Sequence, residues 1–113
     1  EIIFSKVDVP DEIGNDIALC LYRVLQESLK NVITHSRATS CEIFLEGVDN
    51  MLCLTVSDNG IGFEPAEVRH KSGLGLSSMR ERAQLVQGDF SIKSRTGQGT
   101  IVRIGVHLKA GVL

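Results

Sequence analysis

A carboxylate lies directly before a glycine-rich turn at residues 58–62, which read DNGIG. Asp58 has the same alternating parity as the apolar residues of the strand pattern before it, so its side chain should point to the covered face of a sheet. A carboxylate is costly there unless a polar group pairs with it. Gly60 and Gly62 allow a backbone to approach a ligand closely, and the carboxylate would accept a hydrogen bond from an exocyclic amine. The alternative is a plain turn, since Asn-Gly is a frequent hairpin pair, although no alternating strand follows it.

A second glycine pair, Gly73 and Gly75, opens a stretch with a helical pattern. Glycines at a helix N-terminus expose backbone N–H groups where the helix dipole favours anions, so phosphate is the natural ligand. The stretch differs from a Walker A loop because no Gly-Lys-Ser/Thr closes it. It differs from a Rossmann fingerprint because the third glycine is missing. A flexible helix cap without a ligand is the other interpretation.

Glu27 and Asn31 lie four residues apart on a long helical pattern, at the edge of its apolar arc. Half-covered oxygen ligands at this spacing suit a hard cation such as Mg²⁺, which keeps most of its waters and takes one or two protein oxygens. His35 extends the same stripe, whereas Lys30 lies on the opposite side of the helix. An ordinary polar helix flank is the alternative. The three histidines of the chain show no metal-ligand spacing, and no arrangement typical of nucleophilic catalysis is visible.

The elements that must position these residues follow from periodicity, in the order strand, helix, two strands, helix, two strands. The predicted ranges are an edge strand over residues 1–9, a helix over 13–35, a hairpin over 41–46 and 52–57 with its turn at 47–50, a helix over 74–86, and strands over 90–93 and 100–108. Thr100, after the turn Gly-x-Gly, faces the same way as the apolar residues of the last strand. Two helices on one face of a mixed sheet give an α+β fold, a two-layer α/β sandwich.

Composition limits the class of protein. The 113 residues, 42% hydrophobic and 23% charged, fit one globular domain. A net charge of −2 argues against a nucleic-acid binder, which usually carries a basic stripe. Cys20, Cys41 and Cys53 lie in apolar runs without CxxC spacing, and we interpret them as reduced core thiols of a cytoplasmic protein. No apolar run approaches the length of a membrane span.

The order of the motifs resembles that of the GHKL (Bergerat) ATP-binding fold. The motifs are Glu-x-x-x-Asn on a helix, Asp-x-Gly-x-Gly after a strand, Gly-x-Gly opening a helix, and Gly-x-Gly-Thr before a strand. More narrowly, the chain resembles the catalytic and ATP-binding domain of sensor histidine kinases. Residues 21–32 (LYRVLQESLKNV) and 75–83 (GLSSMRERA) resemble the kinases that partner NarL-type response regulators. The resemblance covers nearly the whole chain.

This resemblance implies a site for the triphosphate and a metal. Asn31 would hold the Mg²⁺ that bridges the phosphates, and Glu27 would be a catalytic residue near that metal and its waters. The ATP-binding stretch at the phosphates would comprise Gly73, Leu74, Gly75 and Leu76. Thr34 stands where many relatives carry Lys or Arg. This departure puts a phosphate contact from that position in doubt.

The resemblance also implies how the base is held. Asp58 would accept a hydrogen bond from the adenine amino group, and Thr100 would support Asp58 and adenine through water. Gly60 and Gly62 would let the base and sugar lie against the loop. Residues 64–72 would form a short lid over ATP.

The implied function is to bind ATP with Mg²⁺ and donate the γ-phosphoryl group to a histidine on a separate dimerisation domain. None of His35, His70 and His107 has a helical phosphoacceptor pattern. We therefore interpret residues 1–113 as one ATP-binding domain, a monomeric fragment of a larger sensor kinase that contacts neither membrane nor nucleic acid. Its partners would be its own dimerisation domain and a NarL-type response regulator. An anti-sigma-factor-type serine kinase and a non-catalytic ATP-binding module of the same fold are the alternatives.

Overall fold

The computed structural model of the protein describes residues 1–64 and 75–108. The elements are β1 (Ile2–Val7), α1 (Asn15–Asn31), a π-helical turn (Val32–Ser36), β2 (Cys41–Val48), β3 (Met51–Asp58), α2 (Leu76–Leu85), β4 (Asp89–Ser94) and β5 (Thr100–His107). This is the predicted order of strands and helices. Gly73 and Leu74, two of the predicted site residues, lie outside the described residues, as do residues 65–72 of the predicted lid.

The described strands form one mixed sheet in the order β1-β2-β3-β5-β4. The pair β1 and β2 is parallel, and the other three pairs are antiparallel. The hairpin of β2 and β3 turns tighter than the sequence predicts, at Asp49 and Asn50 alone. Both residues have positive φ, which a two-residue type I′ turn requires and which Asp and Asn tolerate better than most residues. The edge position of β1 is confirmed.

Both helices cover the same face of the sheet, where the alternating apolar residues of β3 and β5 point. The buried residues are Ile17, Cys20, Leu21 and Val24 on α1, Met79 and Ala83 on α2, and Cys41, Ile43, Leu52, Leu54, Val56, Val102, Ile104 and Val106 on the sheet. Because aliphatic side chains supply this core, it forms without aromatic residues. The predicted two-layer arrangement is confirmed.

Cys53 departs from the predicted set of core thiols. Cys20 and Cys41 are buried, whereas Cys53 is partly exposed. Along β3 it has the opposite parity to Leu52 and Leu54, so its side chain lies on the face of the sheet away from the helices. Leu52 and Leu54, which flank Cys53 in the sequence, point to the face that the helices cover. No helix in the described part of the chain is long and apolar enough to cross a membrane.

The C-terminal end of α1 differs from the continuous helix that the sequence predicts. At Asn31 the helix changes to one π turn that ends at Ser36, and Arg37 then takes the left-handed conformation with φ 55°. The Ser36 hydroxyl donates to the Val32 carbonyl at 2.7 Å and accepts from the Ala38 N–H at 3.0 Å. The side chain thus satisfies backbone groups at the helix end. Single π turns often occur at functional sites, and this one lies beside the loop that follows β3.

Candidate functional site

A cavity of about 330 Å³ opens between the C-terminal half of α1, the start of α2 and the covered face of the sheet. Five of the predicted site residues line it, namely Asn31, Asp58, Gly62, Leu76 and Thr100. The remaining lining residues are Ser28, Val32, His35, Ser36, Val56, Ile61, Phe63, Ile92 and Val102. Residues predicted from four separate segments therefore line one continuous space with mostly apolar walls, whereas Glu27, Gly60 and Gly75 of the predicted set do not line it.

One polar row crosses the sheet at the floor of this cavity. Cys41, Asp58, Thr100 and Ser94 are direct neighbours in register across β2, β3, β5 and β4. The row borders an otherwise apolar face, because the next residues on the same side of the sheet are Val56, two residues before Asp58 on β3, and Val102, two residues after Thr100 on β5. A ligand in the cavity therefore meets hydrogen-bonding groups at one end of an apolar surface.

The carboxylate of Asp58 is half-buried and has one hydrogen-bond donor among the described residues. Its Oδ1 accepts from the backbone N–H of Gly60 at 2.8 Å. The second oxygen remains available for a donor on a ligand. Burial raises the pKa of the neighbouring Cys41 thiol, and the negative charge of Asp58 raises that pKa further. Cys41 therefore stays a neutral neighbour of the carboxylate.

Gly60 serves to bring its loop against the end of α1. A Cβ at this position would collide with the carbonyl oxygen of Ser36, and the next residue, Ile61, donates its N–H to the same carbonyl at 2.7 Å. Gly60 does not line the cavity, so its direct neighbour is the protein chain. The preceding Asn59 holds the other side of the loop, with Oδ1 accepting from the N–H groups of Thr39 and Ser40 at 3.0 Å.

Gly62 and Gly99 join the same loop to the turn between β4 and β5. Gly62 has φ +64°, and a Cβ there would collide with the carbonyl oxygen of Arg95. Gly99 has φ +80°, and a Cβ there would collide with the carbonyl oxygen of Asp58. The N–H of Gly97 donates to the Ile61 carbonyl at 2.5 Å. The two glycine motifs thus pack on each other and fix the position of Asp58.

Ser94 is a polar residue of this region that the sequence analysis missed. Its hydroxyl accepts from the N–H of Phe63 at 2.8 Å, donates to the carbonyl of Gly99 at 3.1 Å, and lies 2.8 Å from Oγ1 of Thr100. The signal that identified Asp58 was present here too. Ser94 continues the parity of the apolar Ile92 on β4, as a polar residue at the end of a covered strand.

Glu27 and Asn31 lie one helical turn apart on α1: Asn31 lines the cavity, whereas Glu27 does not line it and faces the start of α2. The carboxylate of Glu27 lies against Gly75, whose Cβ, if present, would be 2.8 Å from the carboxylate carbon. Gly75 has φ +69° and directly precedes the first residue of α2. Glu27 Oε2 is buried and has no hydrogen-bond partner among the described residues. A buried carboxylate oxygen of this kind calls for a cation or a donor from a ligand.

These residues fit Mg²⁺ better than a metal that needs a full protein cage. The described residues contain no cluster of three or more His, Cys, Asp or Glu side chains that could hold a metal ion. Mg²⁺ needs few protein ligands when phosphates and waters complete its octahedron. Asn31, which lines the cavity one helical turn after Glu27, carries a neutral amide oxygen of the kind that such an ion takes.

Four further residues that the sequence analysis names differ in their position relative to the cavity. Lys30 is exposed, as the helical pattern predicts. Thr34 is exposed. Its hydroxyl donates its proton to the Lys30 carbonyl of the same helix at 2.7 Å. His35 lines the cavity, whereas His107 is exposed at the end of β5.

Residues 16–110 match the model of a protein family described as the histidine kinase-, DNA gyrase B-, and HSP90-like ATPases. The chain belongs to this family. It is 39% identical over 94 residues to the oxygen sensor histidine kinase NreB of Staphylococcus carnosus, and 35% identical over 94 residues to the sensor histidine kinase ComP of Bacillus subtilis. These alignments cover 83% and 82% of this chain, but 27% of NreB and 12% of ComP. The chain thus spans a minor part of the relatives that it resembles.

Solved structures show the same fold. The histidine kinase domain of a blue-light activated kinase from Erythrobacter litoralis superposes with a TM-score of 0.73 at 22% identity, over 95% of this chain and 55% of that one. The histidine kinase AdeS of Acinetobacter baumannii gives 0.74 at 20% identity, over 96% and 55%. The α+β fold of the GHKL type is therefore confirmed. Together with the family, it identifies an ATP-binding domain of the kind found in sensor histidine kinases.

Proposed function

We propose that this domain binds ATP with Mg²⁺ and supplies the γ-phosphoryl group to a histidine on a separate dimerisation domain. The observation that carries the proposal is a single cavity lined by the hydrogen-bond acceptors Asp58 and Thr100 of the sheet and by Asn31 of α1, with the half-buried Glu27 one helical turn before Asn31. Such a cavity suits a ligand with a flat base and a charged tail. Phosphoryl transfer depends mainly on positioning and electrostatic stabilisation, and both can be supplied by a binding domain that lacks the acceptor.

Adenine would occupy the end of the cavity at the polar row. The free carboxylate oxygen of Asp58 would accept from the exocyclic amino group, and Thr100, its register neighbour, would act beside it. The flat faces of the base would contact Val56, Ile92 and Val102, whose side chains form apolar walls. Apolar walls with a few fixed polar groups are typical of small-molecule sites.

The phosphates would extend towards α1 and the N-terminus of α2. The predicted phosphate stretch runs through Gly73 and Leu74 to Gly75 and Leu76, and the N-terminus of a helix favours anions. Asn31 would hold the Mg²⁺, which neutralises phosphate charge when bound. Glu27 would accept hydrogen bonds from the waters of that ion with its buried oxygen.

The wider assignment concerns the protein of which this chain is a part. We propose that residues 1–113 form one ATP-binding domain of a larger sensor kinase in the cytoplasm. Its partners would be its own dimerisation domain and a NarL-type response regulator. The similarity to NreB and ComP supports this assignment, since both are sensor histidine kinases much longer than the aligned region.

Transfer in trans tests the proposed function. The chain is incubated with γ-labelled ATP, Mg²⁺ and the separately purified dimerisation domain of a similar kinase, with a variant that lacks the acceptor histidine as control. We expect acid-labile label on the wild-type dimerisation domain and none on the variant. Acid-stable label on a partner protein would instead support a serine kinase. Nucleotide binding without any transfer would support a non-catalytic ATP-binding module.

A further inference from the structure

We infer that Ser94 is a positioning residue that sets the nucleotide specificity of the site by fixing the direction of the Thr100 hydroxyl. The inference rests on the proposed binding of adenine at the polar row. Ser94 does not line the cavity, whereas Thr100 does. Any effect of Ser94 on a bound base must therefore act through a neighbour that touches the base.

The hydrogen-bond capacity of Ser94 decides which of the two hydroxyls donates. A serine hydroxyl has one proton to donate and two lone pairs to accept with. The Gly99 carbonyl, 3.1 Å away, can only accept, so this contact uses the single proton of Ser94. The Phe63 N–H, at 2.8 Å, can only donate, so it uses one lone pair. The remaining capacity of Ser94 is one acceptor position.

The Thr100 hydroxyl must fill that position as a donor. Its Oγ1 lies 2.8 Å from the Ser94 Oγ, and Ser94 has no second proton to give it. The proton of Thr100 is therefore directed at Ser94, away from the cavity. What Thr100 presents to a ligand or an ordered water is an acceptor.

Asp58 and Thr100, the two members of the polar row that line the cavity, then offer acceptors alone to the edge of a base. Ionised Asp58 is an acceptor-only group, and its Oδ1 is occupied by Gly60. With Thr100 fixed as a second acceptor, the row favours a purine with an amino group at position 6 and disfavours one with a carbonyl there. In direct contact with the two oxygens, an amino group gives one proton to Asp58 and the other to Thr100. A carbonyl would place oxygen lone pairs against oxygen lone pairs, with no proton between them. The structure thus separates 6-aminopurines from 6-oxopurines by a residue that does not touch the ligand.

The test compares the dissociation constants of ATP and inosine triphosphate, whose base carries a carbonyl in place of the amino group. Calorimetry is done on the wild-type chain, Ser94→Ala, Ser94→Thr, Thr100→Val and the double variant Ser94→Ala/Thr100→Val. We expect the wild type to prefer ATP, and Ser94→Ala to lower this preference by about fivefold, the effect of one hydrogen bond, because Thr100 becomes free to donate. Ser94→Thr retains the hydroxyl and should retain the preference. In the Thr100→Val background, Ser94→Ala should leave the preference unchanged.

Several outcomes would overturn the inference. Ser94→Ala could weaken both nucleotides by the same factor, which indicates a purely structural role in holding the loop at Phe63. Ser94→Ala could also change the preference for ATP over inosine triphosphate by the same factor in the wild-type and in the Thr100→Val background, which would show that Thr100 does not carry the effect. Thermal unfolding of each variant checks the fold, and Thr100→Ser, which keeps the hydroxyl, must keep the preference if Ser94→Ala does not fold. A wild-type chain that binds neither nucleotide would overturn the proposed function itself, whereas an ATP preference that Ser94→Ala leaves intact overturns the role of Ser94 alone.

Discussion

At the scale of single residues, Asp58 carries the most specific interaction of the proposed site. The variant Asp58→Asn should lower ATP affinity by at least about tenfold, because the amide replaces part of an acceptor-only group with a donor. The fold should persist, since an amide oxygen can still accept from the Gly60 N–H. Calorimetry with a non-hydrolysable ATP analogue measures the loss. Asp89→Asn, at an exposed position of the same sheet, is the matched control, and equal affinities of the two variants would contradict the assignment.

Asn31 and Lys30 are adjacent in sequence but should differ in their effect on Mg²⁺. Asn31 lines the cavity and Lys30 is exposed on the other side of α1. Asn31→Ala should therefore remove most of the enhancement of ATP binding by Mg²⁺, whereas Lys30→Ala should leave it close to wild type. Titrations of both variants with and without Mg²⁺ measure this enhancement. The opposite pattern would show that the face of the helix has been misassigned.

Alternation along strands predicted correctly on which face of the sheet Asp58 and Thr100 lie. Asp58 and Thr100 were placed on the covered face because they share the parity of their apolar neighbours, and both line the cavity. The same rule would have selected Ser94. It also contradicts the interpretation of Cys53 as a core thiol, an error that came from reading an apolar run without its parity. The hydrogen bonds of Ser94 could not be predicted, because they join three segments whose approach depends on the whole sheet.

At the scale of elements, the loop after β3 is held by contacts that glycine alone permits. Gly62→Ala should destabilise the fold by more than the roughly 1–2 kcal/mol that a left-handed conformation costs a residue with a Cβ, because a Cβ there also collides with the Arg95 carbonyl. Gly97→Ala is the matched control, since Gly97 has φ +85° but no atom within 4 Å of its Cβ position. Chemical denaturation of both variants gives the two costs. A loss for Gly97→Ala equal to that for Gly62→Ala would show that the close approach contributes nothing.

The glycine motifs illustrate what sequence can and cannot give for a loop. The spacing in residues 58–62 predicted a close backbone approach, and the structure contains close approaches at both Gly60 and Gly62. The sequence did not reveal the neighbour, which is the protein's own backbone at Ser36 and Arg95. The π turn at the end of α1 was not predicted either. The residues of this turn continue the apolar helical pattern of α1, so the sequence gives no sign of the change from α-helix to π turn. The change lies where the loop after β3 packs against Ser36.

At the scale of the whole molecule, the two sides of the sheet should differ in chemical reactivity. Burial raises the pKa of the Cys20 and Cys41 thiols, and Asp58 raises that of Cys41 further. Both thiols should therefore stay protonated and unreactive at pH 8. Cys53 lies on the other face and is partly exposed, so iodoacetamide should alkylate it first in the native protein. Mass spectrometry of digested samples over time gives the order, and denatured protein, in which all three should react alike, is the control.

The proposal that the acceptor histidine lies on a separate domain leads to a prediction for this chain when it is incubated alone. The domain should bind ATP with Mg²⁺ but acquire no acid-labile label from γ-labelled ATP, because no histidine of the chain has a helical phosphoacceptor pattern. His35 is the stringent test, since among the described residues it is the one histidine that lines the cavity. Incubation of the wild type and of His35→Gln with labelled ATP, without any second domain, distinguishes the possibilities. Label on the wild type that disappears in His35→Gln would show that the chain carries its own acceptor, and the proposal of a separate dimerisation domain would then be wrong.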